Sequence, residues 1–151
     1  TGTAAYFIRI GGCDVGCHWC DVKESWNADL HPPTHVDLIV NNASSYADTV
    51  VVTGGEPLTW DMNLLTSKLK EKNLRVHIET SGAYPVTGSW DWFCLSPKKT
   101  KLPVEEAYQI ADELKVIIYN NMIFNLPKSK LQKLIQKQYF FCNPNGAKKK
   151  K

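Results

Sequence analysis

The chain has 151 residues, 43% hydrophobic and 22% charged, a balance that excludes a disordered or fibrous protein and suits one globular domain. Its formal charge of +3 includes the four lysines Lys148 to Lys151. The remainder is close to neutral, which excludes a broad nucleic-acid-binding surface. No signal-peptide pattern occurs, nor any apolar run of the roughly 20 residues that a membrane helix needs. The expectation is a cytoplasmic protein with neither membrane nor nucleic acid as partner.

Ala5 to Ile10 reads as a first strand, ended by Gly11-Gly12 and followed by a loop rich in cysteine. Thr34 to about Ala47 reads as a helix. Thr34 and Asp37 resemble a capping box, and Val36, Ile39, Val40, Ala43 and Ala47 recur at helical spacing. Thr49 to Val52 is a short β-branched run, a buried strand. Asp61 to Lys72 is a second helix, with Met62, Leu65 and Leu69 on one face. Leu74 to Ile78 is a third strand, in which Leu74, Val76 and Ile78 alternate with Arg75, His77 and Glu79, so that one face packs on helices and the other turns polar groups inward. His77 then either lines a cavity or serves as a hydrogen-bonded structural histidine. Trp92 to Leu95 is a fourth strand, Pro103 to Glu113 a helix, Leu114 to Ile118 a fifth strand, Pro127 to Lys137 a last helix and Tyr139 to Cys142 a last strand. Residues 1–142 form one domain in this reading, and 143–151 a disordered or foreign tail. With Thr rather than Met at position 1, the chain reads as a piece truncated at both ends.

Strands alternating with helices imply an α/β fold with a parallel sheet and right-handed crossovers. Active sites of such sheets gather at the C-terminal ends of the strands. Four unusual segments fall at those ends: the cysteine loop, Thr53-Gly54-Gly55-Glu56-Pro57, Glu79-Thr80-Ser81-Gly82 and Ser96-Pro97-Lys98. Glycines permit close backbone approach to a ligand, and Lys98 offers a cation near anionic groups.

The chain has five cysteines, three of them within eight residues as Cys13-x3-Cys17-x2-Cys20. Odd, crowded cysteines argue for a reducing compartment and a metal site rather than a disulfide framework. Thiolates suit zinc and iron–sulfur clusters. A cluster usually takes four cysteines; three leave one iron open for a substrate or cofactor. A Cys3His zinc knuckle through His18 is the alternative, although His18 directly follows Cys17 and is poorly placed to chelate the same ion. Cys94 and Cys142 have no matching spacing.

The segment CDVGCHWC after a first strand resembles the signature of the radical SAM superfamily. The resemblance implies an incomplete parallel β/α barrel and a [4Fe–4S] cluster on Cys13, Cys17 and Cys20. It further implies that the open iron binds S-adenosylmethionine, whose cleavage yields a 5′-deoxyadenosyl radical. On this resemblance Trp19 lies beside the adenine, Glu56 accepts from the ammonium of the methionine part, and Glu79 and Ser81 hold the ribose and aminocarboxylate. Asp21, Gly54, Gly55, Ser96, Pro97 and Lys98 complete the cofactor contacts. Arg9 in FIRIGGC, Cys20-Asp21 followed by Lys23 and Trp26, TGGEPL, IETSG and CLSPK are similar to superfamily members of the queuosine pathway, from about Thr1 to Asn120. Those members ring-contract 6-carboxy-5,6,7,8-tetrahydropterin with loss of ammonia. The similarity implies that Arg9 and Thr53 contact the pterin, that Mg²⁺ takes part, that a flavodoxin or ferredoxin supplies the electron, and that the enzyme is a homodimer. Val22 stands where the family often carries Thr, and brings no oxygen to Mg²⁺, which needs one. The rival functions are a radical SAM activase of a glycyl radical enzyme, against which CLSPK and Arg9 argue, and a non-catalytic zinc-binding module.

Overall fold

The computed structural model describes residues 3–117 and the strand at 138–142. Its strands are β1 (Tyr6–Ile10), β2 (Thr49–Gly54), β3 (Arg75–Thr80), β4 (Trp92–Leu95), β5 (Glu113–Ile117) and β6 (Gln138–Cys142). They pair in chain order, β1-β2-β3-β4-β5-β6, and every pair is parallel. The helices are α1 (Val36–Tyr46), α2 (Asn63–Glu71) and α3 (Glu105–Ile110). A sheet wound in one direction without reversing its strand order is the arrangement of a barrel, here an arc whose outer strands are β1 and β6.

Side-chain parity divides the arc into two faces. Ile8, Val50, Val52, Val76, Ile78, Phe93, Leu95 and Leu114 are buried on one face, in a single cluster with Val40, Ala43, Leu65, Leu69 and Ala107 of the helices. The register pairs Arg9 with Thr53, Val51 with His77, and Glu79 with Cys94 on the other face. The sheet is therefore apolar toward its helices and polar on its inner side, as the alternation in β3 foretold.

The strand and helix expectations hold in type and order, with shifted ends. The capping box at Thr34 does not form. His35 is the N-cap and its ring accepts from Asp37 N–H at 3.3 Å, because the Asp37 carboxylate reaches across to Lys68 of α2 at 2.5 Å. The third helix is shorter than expected. Asp112 accepts from Phe93 N–H and donates to Phe93 C=O, both at 2.9 Å, which draws the chain into β5 at Glu113. The helix expected at Pro127 to Lys137 lies outside the described residues.

Candidate active site

The loops after β1 and β2 are bound to each other before any ligand is considered. Gly55 N–H donates to Ile10 C=O at 2.7 Å and Glu56 N–H to Gly12 C=O at 2.9 Å. Glycine is required at this junction. Gly54 has φ +119, and a Cβ on Gly55 would lie 2.2 Å from the Gly12 oxygen, so both positions serve close approach. The cysteine loop is closed from its far side: Gly12 N–H donates to Ser25 C=O at 2.7 Å and Cys13 N–H to Trp26 C=O at 3.1 Å. Ser25 and Trp26 are placed by a 3₁₀ turn, Lys23–Ser25, whose last hydroxyl bonds Val22 C=O at 2.7 Å.

Glu56 joins this pair of loops to the end of β3. It is only 2% exposed. Its carboxylate accepts from Leu58 N–H at 3.1 Å, the Thr80 hydroxyl at 2.5 Å, and Ser81 through its N–H at 2.8 Å and its hydroxyl at 2.5 Å. These four donors match the roughly four lone-pair positions of a carboxylate. Glu56 and Ser81, both expected to contact cofactor, are thus first of all partners of each other. Ser96 N–H donates to Thr80 C=O at 2.8 Å, which carries the chain of contacts on to the end of β4.

Together these strand ends surround a cleft of about 540 Å³, within the range of about 300–1,000 Å³ typical of ligand sites. All three cysteines of the triad line it, with Arg9, Trp19, Asp21, Thr53, Gly54, Gly55, Glu56, Glu79, Ser81, Ser96 and Lys98. Pro97 is buried between Ser96 and Lys98. Burial pushes the Cys13 thiol up, against a backbone hydrogen bond at Val15 and with help from Glu56, Cys20 and Asp14. Burial also pushes up the Cys17 thiol, against the attraction of Lys98. Lys98 Nζ donates to Ser96 C=O and hydroxyl, both at 2.6 Å, and stands 5.3 Å from the centre of the Trp19 ring. Its own burial holds its ammonium below the usual range, against Cys17 and Glu56.

Sequence reasoning missed the lining residues Phe7, Val15 and Lys115, and it quoted Val22, Trp26 and Thr80 within motifs without placing them in the cleft. Lys115 pairs with Glu79 at 3.5 Å, and the Thr53 hydroxyl reaches the same Glu79 oxygen at 3.5 Å. Alternation within Glu113-Leu-Lys-Val carried the signal for Lys115, since parity puts it on the inner face. A second element also escaped: Asp14, inside the cysteine loop, accepts from Lys101 at 2.9 Å and from the Tyr84 hydroxyl, and Lys101 donates to Tyr84 at 2.5 Å. This surface clasp joins the loops after β1, β3 and β4.

His77 is not in the cleft. It lines a lower chamber of about 290 Å³ with Arg75, Trp92, Cys94 and Glu113, and Glu79 is the wall common to both. Its buried Nε2 has no partner among the described residues. Cys94 is buried beside Glu113 and Glu79, and burial above all pushes its thiol up to about 12. It faces the lower chamber, away from the triad.

Among the described residues, no group of three His, Cys, Asp or Glu side chains is arranged to hold a single metal ion. A four-iron cluster takes its thiolates on different irons, so its ligands stand apart around a shared volume. Three thiols lining one cleft fit such a group.

A partial parallel barrel with a cysteine triad at its rim defines a class, and the comparisons agree: the family described as the Radical SAM superfamily matches residues 7–92. The chain belongs to that superfamily, whose cofactors are a [4Fe–4S] cluster and S-adenosylmethionine and whose enzymes act here on a small molecule. Within it, the chain belongs to the 7-carboxy-7-deazaguanine synthases. It is 70% identical to the enzyme of that name from Flavobacterium psychrophilum, over 99% of this chain and 71% of that protein. It is 48% identical to the one from Synechocystis, over 88% of this chain and 64% of that protein. Crystallised QueE from Escherichia coli superposes with a TM-score of 0.69, covering 95% of this chain and 87% of its own, at 24% identity, a likeness of fold. Among the described residues no helix is long and apolar enough to cross a membrane.

Proposed function

We propose that this chain carries the radical SAM step that converts 6-carboxy-5,6,7,8-tetrahydropterin to 7-carboxy-7-deazaguanine with loss of ammonia. The observation that carries the reading is the 70% identity to a 7-carboxy-7-deazaguanine synthase along 99% of the chain. Cys13, Cys17 and Cys20 hold the cluster in this proposal. When bound, the cluster and S-adenosylmethionine supply the electron and the radical chemistry.

The protein's part is binding and positioning. Gly54 and Gly55, lacking a Cβ, let the β1 and β2 loops close on each other to form the rim that takes the methionine part, and Glu56 holds that rim in place through Thr80 and Ser81. Trp19 offers a flat surface to the adenine and Lys98 a cation braced by Ser96 behind Pro97. Glu79 faces both the cofactor half and the substrate half of the cleft. Arg9, register-paired with Thr53, presents a planar fork suited to the substrate carboxylate, and Thr53 a hydroxyl beside it. Either Asp21, beside its place among the cofactor contacts, or substrate and water supply oxygen to Mg²⁺, since Val22 offers none. A flavodoxin or ferredoxin as reductant, a homodimer, a cytoplasmic location and a domain closing at residue 142 complete the proposal.

The test is anaerobic reconstitution with iron and sulfide, then incubation with dithionite, S-adenosylmethionine and the pterin. Mass spectrometry should find both 5′-deoxyadenosine and 7-carboxy-7-deazaguanine. Loss of the cluster on Cys13→Ala, Cys17→Ala or Cys20→Ala, with retention in Cys94→Ala, is the expected ligand pattern. A Cys94→Ala protein without iron overturns that assignment.

A further inference from the structure

Trp26 touches the cysteine loop twice. Its carbonyl accepts from Cys13 N–H at 3.1 Å, and its indole Nε1–H donates to Cys20 Sγ at 3.4 Å. It therefore binds the first and the third cysteine of the triad at once, from outside the triad. The residue is held for this. It follows the 3₁₀ turn at Lys23–Ser25 with φ −70 and ψ −38, and its N–H bonds Lys23 C=O. The Lys23 ammonium stands 5.8 Å from the ring centre. The ring is half-buried against the cleft. An indole N–H can only donate, and the sulfur is the acceptor it has found.

We propose that Trp26 is a positioning residue for the cluster, and that its indole N–H, by donating to the Cys20 thiolate, raises the cluster's reduction potential. The inference rests on the reading that Cys13, Cys17 and Cys20 hold the cluster. Reduction adds an electron whose charge spreads onto the thiolate sulfurs. A donor aimed at one of those sulfurs stabilises the reduced form more than the oxidised form, and hydrogen bonds to sulfur are a recognised control of such potentials. The same contact fixes the Cys20 side chain, while the carbonyl contact fixes the start of the loop. Two other tryptophans lack this role: Trp60 Nε1–H donates to Gly11 C=O and Trp90 Nε1–H to Thr87 C=O.

The experiment is an EPR-monitored redox titration of the reconstituted protein, natural and Trp26→Phe, with Trp90→Phe as control. The expected result for Trp26→Phe is a lower potential by about tenfold in the one-electron equilibrium, about 59 mV, at unchanged iron content. Electron–nuclear double resonance of the reduced natural protein, before and after transfer to D2O, should show an exchangeable proton coupled to the cluster. That coupling should persist in Trp90→Phe. If Trp26→Phe takes up no iron, the double-resonance signal of the natural protein decides. Absence of an exchangeable coupling there, or an unchanged potential in a fully loaded Trp26→Phe, overturns the inference while leaving the cluster assignment intact. A natural protein that holds no cluster overturns both.

Discussion

Glu56 keeps a carboxylate at 2% exposure because four protein donors surround it, from Leu58, Thr80 and Ser81. Glu56→Gln has the same shape but turns half of that acceptor into an NH₂ facing donors. Leaving one buried donor unsatisfied costs about 1–3 kcal/mol, so the urea midpoint should fall accordingly and cluster uptake with it. A midpoint unchanged by Glu56→Gln would deny the carboxylate its tying role. His77 presents the reverse case, a titratable ring without a partner at Nε2 among the described residues. Burial holds its pKa below 6.5, reinforced by Arg75 and opposed by Asp91, Asp112 and Glu113. The unfolded chain therefore takes up this proton first as the pH falls. Stability should decline as the pH drops through 6.5 toward the folded-state value, and level off below it. Urea titrations between pH 7.5 and 5 should show that decline, and His77→Asn should flatten it. An identical slope in both proteins would assign the decline to other groups.

Among the elements, β3 and β4 were the most legible: strict alternation in β3 leaves little choice of face, and the apolar run Trp92–Leu95 has the ends that β4 takes. The same alternation placed Glu79 on the inner side, where it meets Thr53 and Lys115. Helix ends were less legible, since they turn on tertiary partners that spacing does not encode. Asp37 left its expected capping box for Lys68 of another helix, and Asp112 shortened α3 by pairing with Phe93. The cysteine triad announced itself by spacing, yet its support did not. Trp26, Tyr84 and Lys101 reach the loop from positions that no local period links to it. The junction of the β1 and β2 loops is the element with the least room. Gly54 sits at φ +119, and a Cβ there would lie 2.4 Å from the Ile10 nitrogen. Gly54→Ala should cost about 1–3 kcal/mol from the backbone conformation alone, with the close approach adding to it. Thermal unfolding should register the loss, together with weaker retention of S-adenosylmethionine in equilibrium dialysis. Wild-type binding by Gly54→Ala would show that the loop can move without consequence for the rim.

Across the whole molecule, one sheet serves two purposes through its two faces. The helix side is continuous hydrophobic core, and that leaves the inner side free to be polar without endangering the fold. The inner side then divides along its own height, with thiols and strand-end loops at the rim and Arg9, Thr53, Glu79 and Lys115 just within it. Radical generation and substrate binding should therefore be separable by mutation. Arg9 is exposed and lies in mid-strand, so Arg9→Leu removes a charged fork without opening a cavity in the core. Hydrogen bonds to a charged group contribute about 1.5–3 kcal/mol, which corresponds to roughly a tenfold to hundredfold rise in KM for the carboxylated pterin. Iron content and the slow formation of 5′-deoxyadenosine without pterin should stay at natural levels, because neither depends on Arg9. With pterin present, deoxyadenosine should form in excess over 7-carboxy-7-deazaguanine, as the reacting carbon is held less firmly. The measurement is the ratio of the two products across a range of pterin concentrations. If Arg9→Leu lowers both products in the same proportion at saturating pterin, Arg9 belongs with the cofactor half of the cleft, and the division of the inner face by height is wrong.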